Sequence, residues 1–448
     1  MSQKRSGKAL LLFCLLGFLL PSVALAQRTG YSKEEMMRRR KALMAQCREG
    51  LIILFGDTVA PANAHFRQDN DFFYFTGVED LNAVCVMTPK TGGSYLFLPQ
   101  QSAREKMVSG LNLIEKPGSK EKTGFTDILP LAYFDEFIAR NIQRNGLVFH
   151  LRLSPRDDAG DDRWETLIFI ARKNRSHYND QISVDNYRIV KLRENYPVVE
   201  FKDVTPFIDE MRVIKSAEEI EIMRRNGRIS AEAVKQAMLA GRPGAFEYEA
   251  EAAAMAVVLK GGAKNAAYPP IVGSGPNTCI WHYEENSRKI EDGDLVLMDY
   301  GADLDQLCMD ITRTWPANGR FTPEQREVYE IVLEIEKACI EAYRPGVTSE
   351  DVEKHVAEVM KKKGLDQRGE TGGIGHYVGL ATHDCGLDSV PLKEGMVFAI
   401  EPALYYPEKN IGIRVEDTVL ITKSGCEVLT GDVPKEINEI EKLLQRKK

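Results

Sequence analysis

The chain has 448 residues, of which 43% are hydrophobic and 28% charged, a composition typical of globular proteins. This length predicts two or three domains, each with enough apolar residues for a core. The formal net charge of −7 argues against a nucleic-acid partner, because proteins that bind nucleic acids carry a basic footprint.

Residues 1–26 have the pattern of a secretory signal peptide. Three basic residues precede an apolar run at 9–20, and the sequence ALA at 24–26 forms an A-x-A cleavage site. The apolar run is too short for a stable transmembrane span, although an uncleaved anchor is the alternative. We therefore expect the mature chain to begin near Gln27, to have no stable membrane span, and to be periplasmic or secreted.

The first part of the mature chain is predicted to be an α/β domain at 27–206. Between 50 and 98, the short apolar runs "LIILFG", "FFYFTG", "AVCVM" and "SYLFL" alternate with turns and indicate strands. The stretches 33–47 and 129–142 have helical spacing.

A second domain is predicted at 207–448. Ser216 and Glu219 form a capping box that begins a long amphipathic helix. Helices at 216–240 and 245–260 precede one pair of strands, and helices at about 322–343 and 349–363 precede another. This repeated order suggests two similar halves that face each other across one central sheet.

Acidic residues interrupt the apolar strands of both halves. Asp299 and Asp310 lie in the first strand pair, in "LVLMDYGADLDQLCMDITRTW", and Glu401 and Glu416 lie in the second. A buried carboxylate without a partner costs several kcal/mol or takes up a proton. Four adjacent carboxylates therefore cannot all stay ionised without a strong cation.

Two histidines lie in the glycine-rich stretch "GIGHYVGLATHDCG", His376 and His383. One imidazole and four carboxylates make a hard donor set that suits two divalent ions, with Mn²⁺ as the first candidate and Co²⁺, Fe²⁺ or Zn²⁺ as alternatives. Two such ions about 3.5–4 Å apart activate water and polarise a carbonyl group, so this chemistry predicts a dinuclear hydrolase.

The same motifs carry a family resemblance. The succession "MDYGA", "MDITRTW", "GHYVGLATHD", "IEPALYY" and "IRVEDT" resembles the pita-bread metallopeptidases, namely methionine aminopeptidase, prolidase and aminopeptidase P, and covers about 207–435. The stretch "FRQDNDFFYFTG" resembles the N-terminal domain of aminopeptidase P and prolidase. The resemblance implies an α/β N-terminal domain of the creatinase/prolidase type followed by an α+β pita-bread catalytic domain.

The resemblance also implies the roles of single residues. For the metal shell, it implies that Asp299 binds one ion, that His376 and Glu401 bind the other, and that Asp310 and Glu416 bridge both. Glu401 would also be the general base. Around the metals, the resemblance implies that His282 contacts the substrate and that His383 stabilises the oxyanion or hydrogen-bonds the scissile amide. Arg414 would orient the site or line the proline pocket, and Tyr405 would line that pocket too.

The function that follows is an exported Xaa-Pro aminopeptidase, which acts on peptides with proline at the second position. The alternatives are prolidase, which cleaves Xaa-Pro dipeptides, and a non-catalytic or creatinase-like pita-bread protein. Gly372 stands where aminopeptidase P and prolidase commonly have a histidine, so one wall of the pocket is expected to differ. By analogy with the family, a homodimer or homotetramer is expected.

Overall fold

The computed structural model describes residues 30–60, 65–153, 171, 183–362, 364 and 374–445. The predicted signal peptide and Gly372 lie outside these residues. Among the helices that are described, none is both long enough and apolar enough to cross a membrane.

The N-terminal part of the chain contains one mixed sheet with helices packed around it. The helices are α1 (Lys33–Cys47), α2 (Asn70–Thr76), α3 (Ala103–Ser109), α4 (Ser119–Thr123), α5 (Phe134–Asn145) and α6 (Val184–Asn195). The strands are β1 (Leu51–Phe55), β2 (Val84–Thr88), β3 (Gly93–Leu98), β4 (Asp127–Pro130), β5 (Val148–Leu151) and β6 (Glu200–Asp203). They form one sheet in the order β4-β3-β2-β1-β5-β6. The pairs β1-β2 and β2-β3 are antiparallel, and the pairs β3-β4, β1-β5 and β5-β6 are parallel.

Two predictions for this part were wrong in detail. The run "FFYFTG" forms helix α2 and not a strand, because the Asp69 side chain accepts a hydrogen bond from the Phe72 amide (2.8 Å) and Gly77 ends the helix with a φ of 62°. All seven residues of α2 are buried, so the run carries no alternation that distinguishes a helix from a strand. The helix predicted at 129–142 begins only at Phe134, because the residues before it belong to β4 and a 3₁₀ turn.

The C-terminal part follows the predicted order of helices and strands. Its helices are α7 (Thr205–Val213), α8 (Ala217–Ala240), α9 (Glu247–Lys260), α10 (Pro323–Ala342), α11 (Ser349–Lys362) and α12 (Ile437–Leu444). Its strands in the first half are β7 (Asn265–Ala266), β8 (Ile271–Ser274), β9 (Leu295–Asp299), β10 (Ala302–Leu304), β11 (Leu307–Cys308) and β12 (Thr312–Pro316). Those in the second half are β13 (Gly375–Tyr377), β14 (Val397–Ile400), β15 (Ala403–Tyr406), β16 (Ile411–Arg414), β17 (Asp417–Ile421) and β18 (Cys426–Val428).

The single central sheet that we expected is divided. Within the described residues, β12-β9-β8 form one sheet, β13-β14-β17-β18 another, β11-β10-β7 a third, and β15-β16 a separate pair. The division arises at the acids, since Glu416 falls between β16 and β17 and its amide donates to the Thr312 carbonyl (3.0 Å) of the first half. The two halves therefore meet where the acidic residues lie.

The predicted division between residues 206 and 207 falls inside helix α7 and stays a prediction. The next helix, α8, begins with the predicted capping box, in which Ser216 and Glu219 each accept a hydrogen bond from the other's backbone amide.

A buried ion cluster supports the strand that follows Glu416. Asp417 binds Arg313 (2.8 Å) and Lys435 (2.7 Å), and Lys435 also binds Glu336 (2.6 Å). Burial and the Asp417 charge raise the pKa of Glu336 to about 8, although Lys435 opposes this shift. We therefore expect Glu336 to keep its proton at neutral pH.

This cluster predicts a pH dependence of stability. The pKa of Glu336 is higher in the folded chain than in the unfolded chain, so the folded chain holds a proton that the unfolded chain has released. The free energy of unfolding should therefore fall as pH rises from the pKa of Glu336 in the unfolded chain towards its pKa of about 8 in the folded chain. Glu336→Gln cannot release a proton and should lack this slope, which is about 1.4 kcal/mol per pH unit for one proton. Urea unfolding of both proteins across this pH range is the measurement, and parallel pH curves would contradict the assignment.

Candidate metal centre

Strand ends bring the four predicted acids to one place. Asp299 is the last residue of β9 and pairs with Thr312 of β12, while Asp310 lies two residues before that strand. Glu401 follows β14, and Glu416 lies between β16 and β17. Three of the acids are 9% exposed or less, whereas the Glu401 side chain is partly buried, at 27% exposed.

His376 completes the donor set. It lies in the middle of β13, with Nε2 3.4 Å from Asp310 Oδ2 and 3.5 Å from Glu401 Oε1. Nδ1 lies 3.1 Å from the Tyr377 carbonyl oxygen, and a hydrogen bond there directs the lone pair of Nε2 towards the acids. Ligand atoms of Asp310, His376 and Glu416 all lie within 4.8 Å of one another, a spacing that fits a bound metal ion.

The protonation behaviour of the acids supports a cation at this site. Burial and the neighbouring Asp299 raise the pKa of Asp310 well above its usual range. Burial and Asp310 do the same to the pKa of Glu416. Burial also raises the pKa of Glu401, although His376 opposes that shift. Divalent ions stabilise the ionised forms of such a cluster, so the residues present fit a metal centre.

Arg414 and Tyr405 also lie at the centre. The Arg414 guanidinium donates to Asp299 Oδ2 (2.6 Å), to Thr312 Oγ1 (3.0 Å) and to the Tyr405 hydroxyl (2.8 Å). Thr312 in turn donates to Glu416 Oε2 (2.7 Å). These contacts favour the role of Arg414 in orienting the acids, and its role in the substrate pocket stays a prediction.

Tyr268 belongs to the centre although the sequence did not reveal it. Its hydroxyl lies 2.5 Å from Asp299 Oδ1 and 2.5 Å from Asp310 Oδ1. Burial and the Asp299 charge raise its pKa well above the usual range, so it remains a hydrogen-bond donor. Tyrosine is not among the usual ligand residues, and the sequence "AAYPP" around it carries no metal-site motif.

His383 lies beside the donor set. Its ring packs edge-to-face on the His376 ring, with the two centroids 4.2 Å apart, and its side chain is half-buried. The structure therefore places His383 next to the expected metal ligands, as a residue that stabilises an oxyanion must be.

His282 is placed less directly. It is exposed, and within the described residues it makes no hydrogen bond or ion pair with the four acids. Its neighbour Trp281 stacks on Tyr405 with ring centroids 5.7 Å apart, which connects this loop to the centre. The expected contact of His282 with substrate stays a prediction.

The loop that carries His282 is held by one buried carboxylate. Glu247 accepts hydrogen bonds from the backbone amides of Ser274 (2.6 Å) and Arg288 (2.8 Å) and from the Tyr283 hydroxyl (3.0 Å). Its carboxylate thus joins both ends of the loop.

Glu247→Ala should therefore loosen this loop. Several buried donors would lose their acceptor, so we expect the free energy of unfolding to fall by about 3 kcal/mol or more. If His282 of this loop contacts the substrate, KM should rise as well. Thermal unfolding and steady-state kinetics measure the two effects, with Glu247→Gln as the conservative control. A variant as stable as the parent would contradict this role.

Known metallopeptidases are similar to this chain along nearly its whole length. The chain matches the description "Metallopeptidase family M24" over residues 221–423 and "Aminopeptidase P, N-terminal domain" over residues 36–149. The Xaa-Pro aminopeptidase of Escherichia coli (strain K12) is 33% identical, and the alignment covers 92% of this chain and 98% of that protein. Intermediate cleaving peptidase 55, mitochondrial, of Arabidopsis thaliana is 30% identical, with 93% and 83% covered.

A solved structure shows the same similarity in three dimensions. Zinc-substituted E. coli aminopeptidase P in complex with product superposes with a TM-score of 0.78 at 31% identity, over 93% of this chain and 100% of that one. The predicted fold class is confirmed, with the N-terminal domain followed by the pita-bread domain.

Proposed function

Because the chain belongs to metallopeptidase family M24 and carries the N-terminal domain of aminopeptidase P, we propose that it is an exported Xaa-Pro aminopeptidase. It would hydrolyse the peptide bond between the first residue of a peptide and a proline at the second position. The observation that carries this proposal is the cluster of Asp310, His376 and Glu416, in a chain similar along nearly its whole length to an Xaa-Pro aminopeptidase.

Five residues would hold two divalent ions: Asp299, Asp310, His376, Glu401 and Glu416. When bound, such ions supply Lewis acidity and lower the pKa of water towards neutrality. Mn²⁺ remains our first candidate for both ions, with Co²⁺, Fe²⁺ and Zn²⁺ as alternatives. The oxygen-rich donor set of four carboxylates and one imidazole supports this choice.

The remaining chemistry is carried out by side chains of the chain itself. Glu401 is the most exposed of the four acids, so it can take the proton from an attacking water and later return one to the leaving amine. His383 would donate a hydrogen bond to the oxyanion, and His282 would contact the substrate from the exposed loop. Arg414 and Tyr268 hold Asp299 in place, so the ligand geometry is set before substrate binds.

A substrate series tests the proposal. The purified protein, reconstituted with Mn²⁺ or another divalent ion, is assayed on Xaa-Pro dipeptides, on longer peptides with proline second, and on matched peptides with alanine second. We expect release of the first residue from the longer proline peptides and its loss after chelation. Cleavage of dipeptides alone would make the protein a prolidase. Absence of any cleavage, together with absence of bound metal, would favour the non-catalytic or creatinase-like alternative.

Two further experiments test export and assembly. We propose that residues 1–26 are removed, since a basic start, an apolar run and an A-x-A site precede Gln27. Sequencing the N-terminus of protein recovered from outside the cytoplasm should give Gln27 as the first residue.

The homodimer or homotetramer stays a prediction, and light scattering of the purified protein decides it.

A further inference from the structure

The stretch at residues 66–71, with the sequence FRQDND, lies in the N-terminal domain but contacts the catalytic domain. We call it the docking segment. Gln68 and Gln306 exchange hydrogen bonds, from the Gln68 amide to Gln306 Oε1 (3.0 Å) and from Gln306 Nε2 to the Gln68 carbonyl (3.0 Å). The segment therefore has a fixed register against the catalytic domain.

Arg67 extends from the docking segment into the catalytic domain. Its Nε donates to Asp303 Oδ2 (2.7 Å), and its Nη2 donates to the carbonyl oxygens of Gln306 (3.1 Å) and Leu380. The side chain is 26% exposed, so it bridges the domains at the edge of the interface. Leu380 lies three residues before His383.

A second contact runs from the docking segment to the residue after His383. Asp71 binds Arg212 Nη1 (2.8 Å), and Arg212 Nη2 binds Asp384 (2.5 Å). Lys215 also binds Asp384 (3.2 Å), and these side chains are 1% exposed or less. Burial opposes ionisation of Asp384, but Arg212 and Lys215 hold its pKa below the usual range, so Asp384 is a charged partner for both cations.

These contacts converge on residues 377–384, which we call the histidine loop. The loop has no regular secondary structure after Tyr377 and closes on itself through the Asp384 amide, which donates to the Tyr377 carbonyl (2.9 Å). Gly379 packs against the Asp384 carboxylate. A Cβ atom at position 379 would lie 1.8 Å from Asp384 Oδ2, so a larger residue would displace that carboxylate. The loop thus depends on Asp384 for its shape and on groups outside it for its position.

We propose that the docking segment positions His383 for catalysis. Arg67 fixes the Leu380 carbonyl, and Asp71 fixes Asp384 through Arg212, so both sides of His383 are held from the N-terminal domain. Arg67 and Asp71 are therefore positioning residues, and the N-terminal domain contributes to the active site without touching substrate. This inference rests on the proposed function, in which His383 binds the oxyanion.

Arg67→Ala is the first test, since Arg67 is partly exposed and the variant should fold. We expect kcat on a longer Xaa-Pro peptide to fall about 10- to 100-fold while KM changes little, because a displacement of about 1 Å at a catalytic group costs that much. Metal content should not change. Glu79→Gln is the matched control, because Glu79 also joins the two domains, through Lys264, but makes no hydrogen bond or ion pair with the histidine loop among the described residues, so kcat should be unaltered.

A double-mutant cycle separates positioning from general support of the fold. If Arg67 acts through His383, then adding Arg67→Ala to a His383→Ala protein should lower kcat less than about twofold further. Equal fold losses in both backgrounds would overturn the proposal. Asp71→Asn, which keeps the shape of the side chain, should couple to His383 in the same way.

Hydrogen exchange provides a readout that does not need activity. In Arg67→Ala, amides of the histidine loop, including that of Asp384, should exchange faster than in the parent and in Glu79→Gln. Unchanged exchange there would overturn the proposal even in an active enzyme. Failure of the parent to cleave any Xaa-Pro peptide would refute the proposed function instead, and the exchange rates would still decide whether the docking segment holds the loop.

Discussion

Replacing Asp310 by alanine is expected to remove bound metal and peptidase activity together. Asp310 is 5% exposed, and it contacts both Tyr268 and His376 at the middle of the donor set. If it bridges two ions, its loss leaves neither ion with a complete set of ligands. We expect kcat to fall at least about 1,000-fold, since Lewis-acid polarisation supplies several kcal/mol and about 1.4 kcal/mol corresponds to tenfold in rate.

Metal analysis after dialysis, paired with the Xaa-Pro assay, measures both losses on one sample. Asp292→Ala is the control, because Asp292 is an exposed acid shortly before β9 and should leave metal content and rate unaltered. An Asp310→Ala protein that retains two ions and full activity would refute the dinuclear assignment. Loss of one ion with partial activity would show that Asp310 binds a single ion.

Replacing Glu401 by glutamine is expected to lower kcat strongly while leaving much of the metal bound. The amide keeps the size and one oxygen of the carboxylate but cannot accept a proton. General-base catalysis is typically worth about 10²- to 10⁴-fold, and we expect kcat to fall within that range. The other four proposed ligands remain, so metal affinity should fall less than in Asp310→Ala.

The comparison of the two variants is the informative result. Asp310→Ala should lose metal first and rate as a consequence, whereas Glu401→Gln should lose rate at saturating metal. Glu408→Gln serves as the control, since Glu408 is exposed in the turn after β15. If excess metal restores Glu401→Gln to the parental rate, then Glu401 acts only as a ligand and another residue is the base.

Several features of the fold were accessible from local sequence. The capping box of Ser216 and Glu219 and the alternation of helix pairs with strand pairs are confirmed, because caps and periodicity depend on residues a few positions apart. Helix α2 was mistaken for a strand, since a run buried on every side has no period to measure. The division of the central sheet was missed because strand pairing across the two halves depends on contacts between distant residues.

By itself, the sequence determined the chemistry of the site. Four acids in apolar strands and a histidine in a glycine-rich stretch predict a metal site wherever they meet, because unpaired buried charge is costly. Only the tertiary structure decided what surrounds them. Tyr268 between two acids, Arg414 on Asp299, and Arg67 on the histidine loop are contacts between residues 31 to 313 positions apart. Local spacing carries no record of such distances, because the folding of the catalytic domain brings Tyr268 and Arg414 to Asp299, and the packing of the two domains brings Arg67 to the histidine loop.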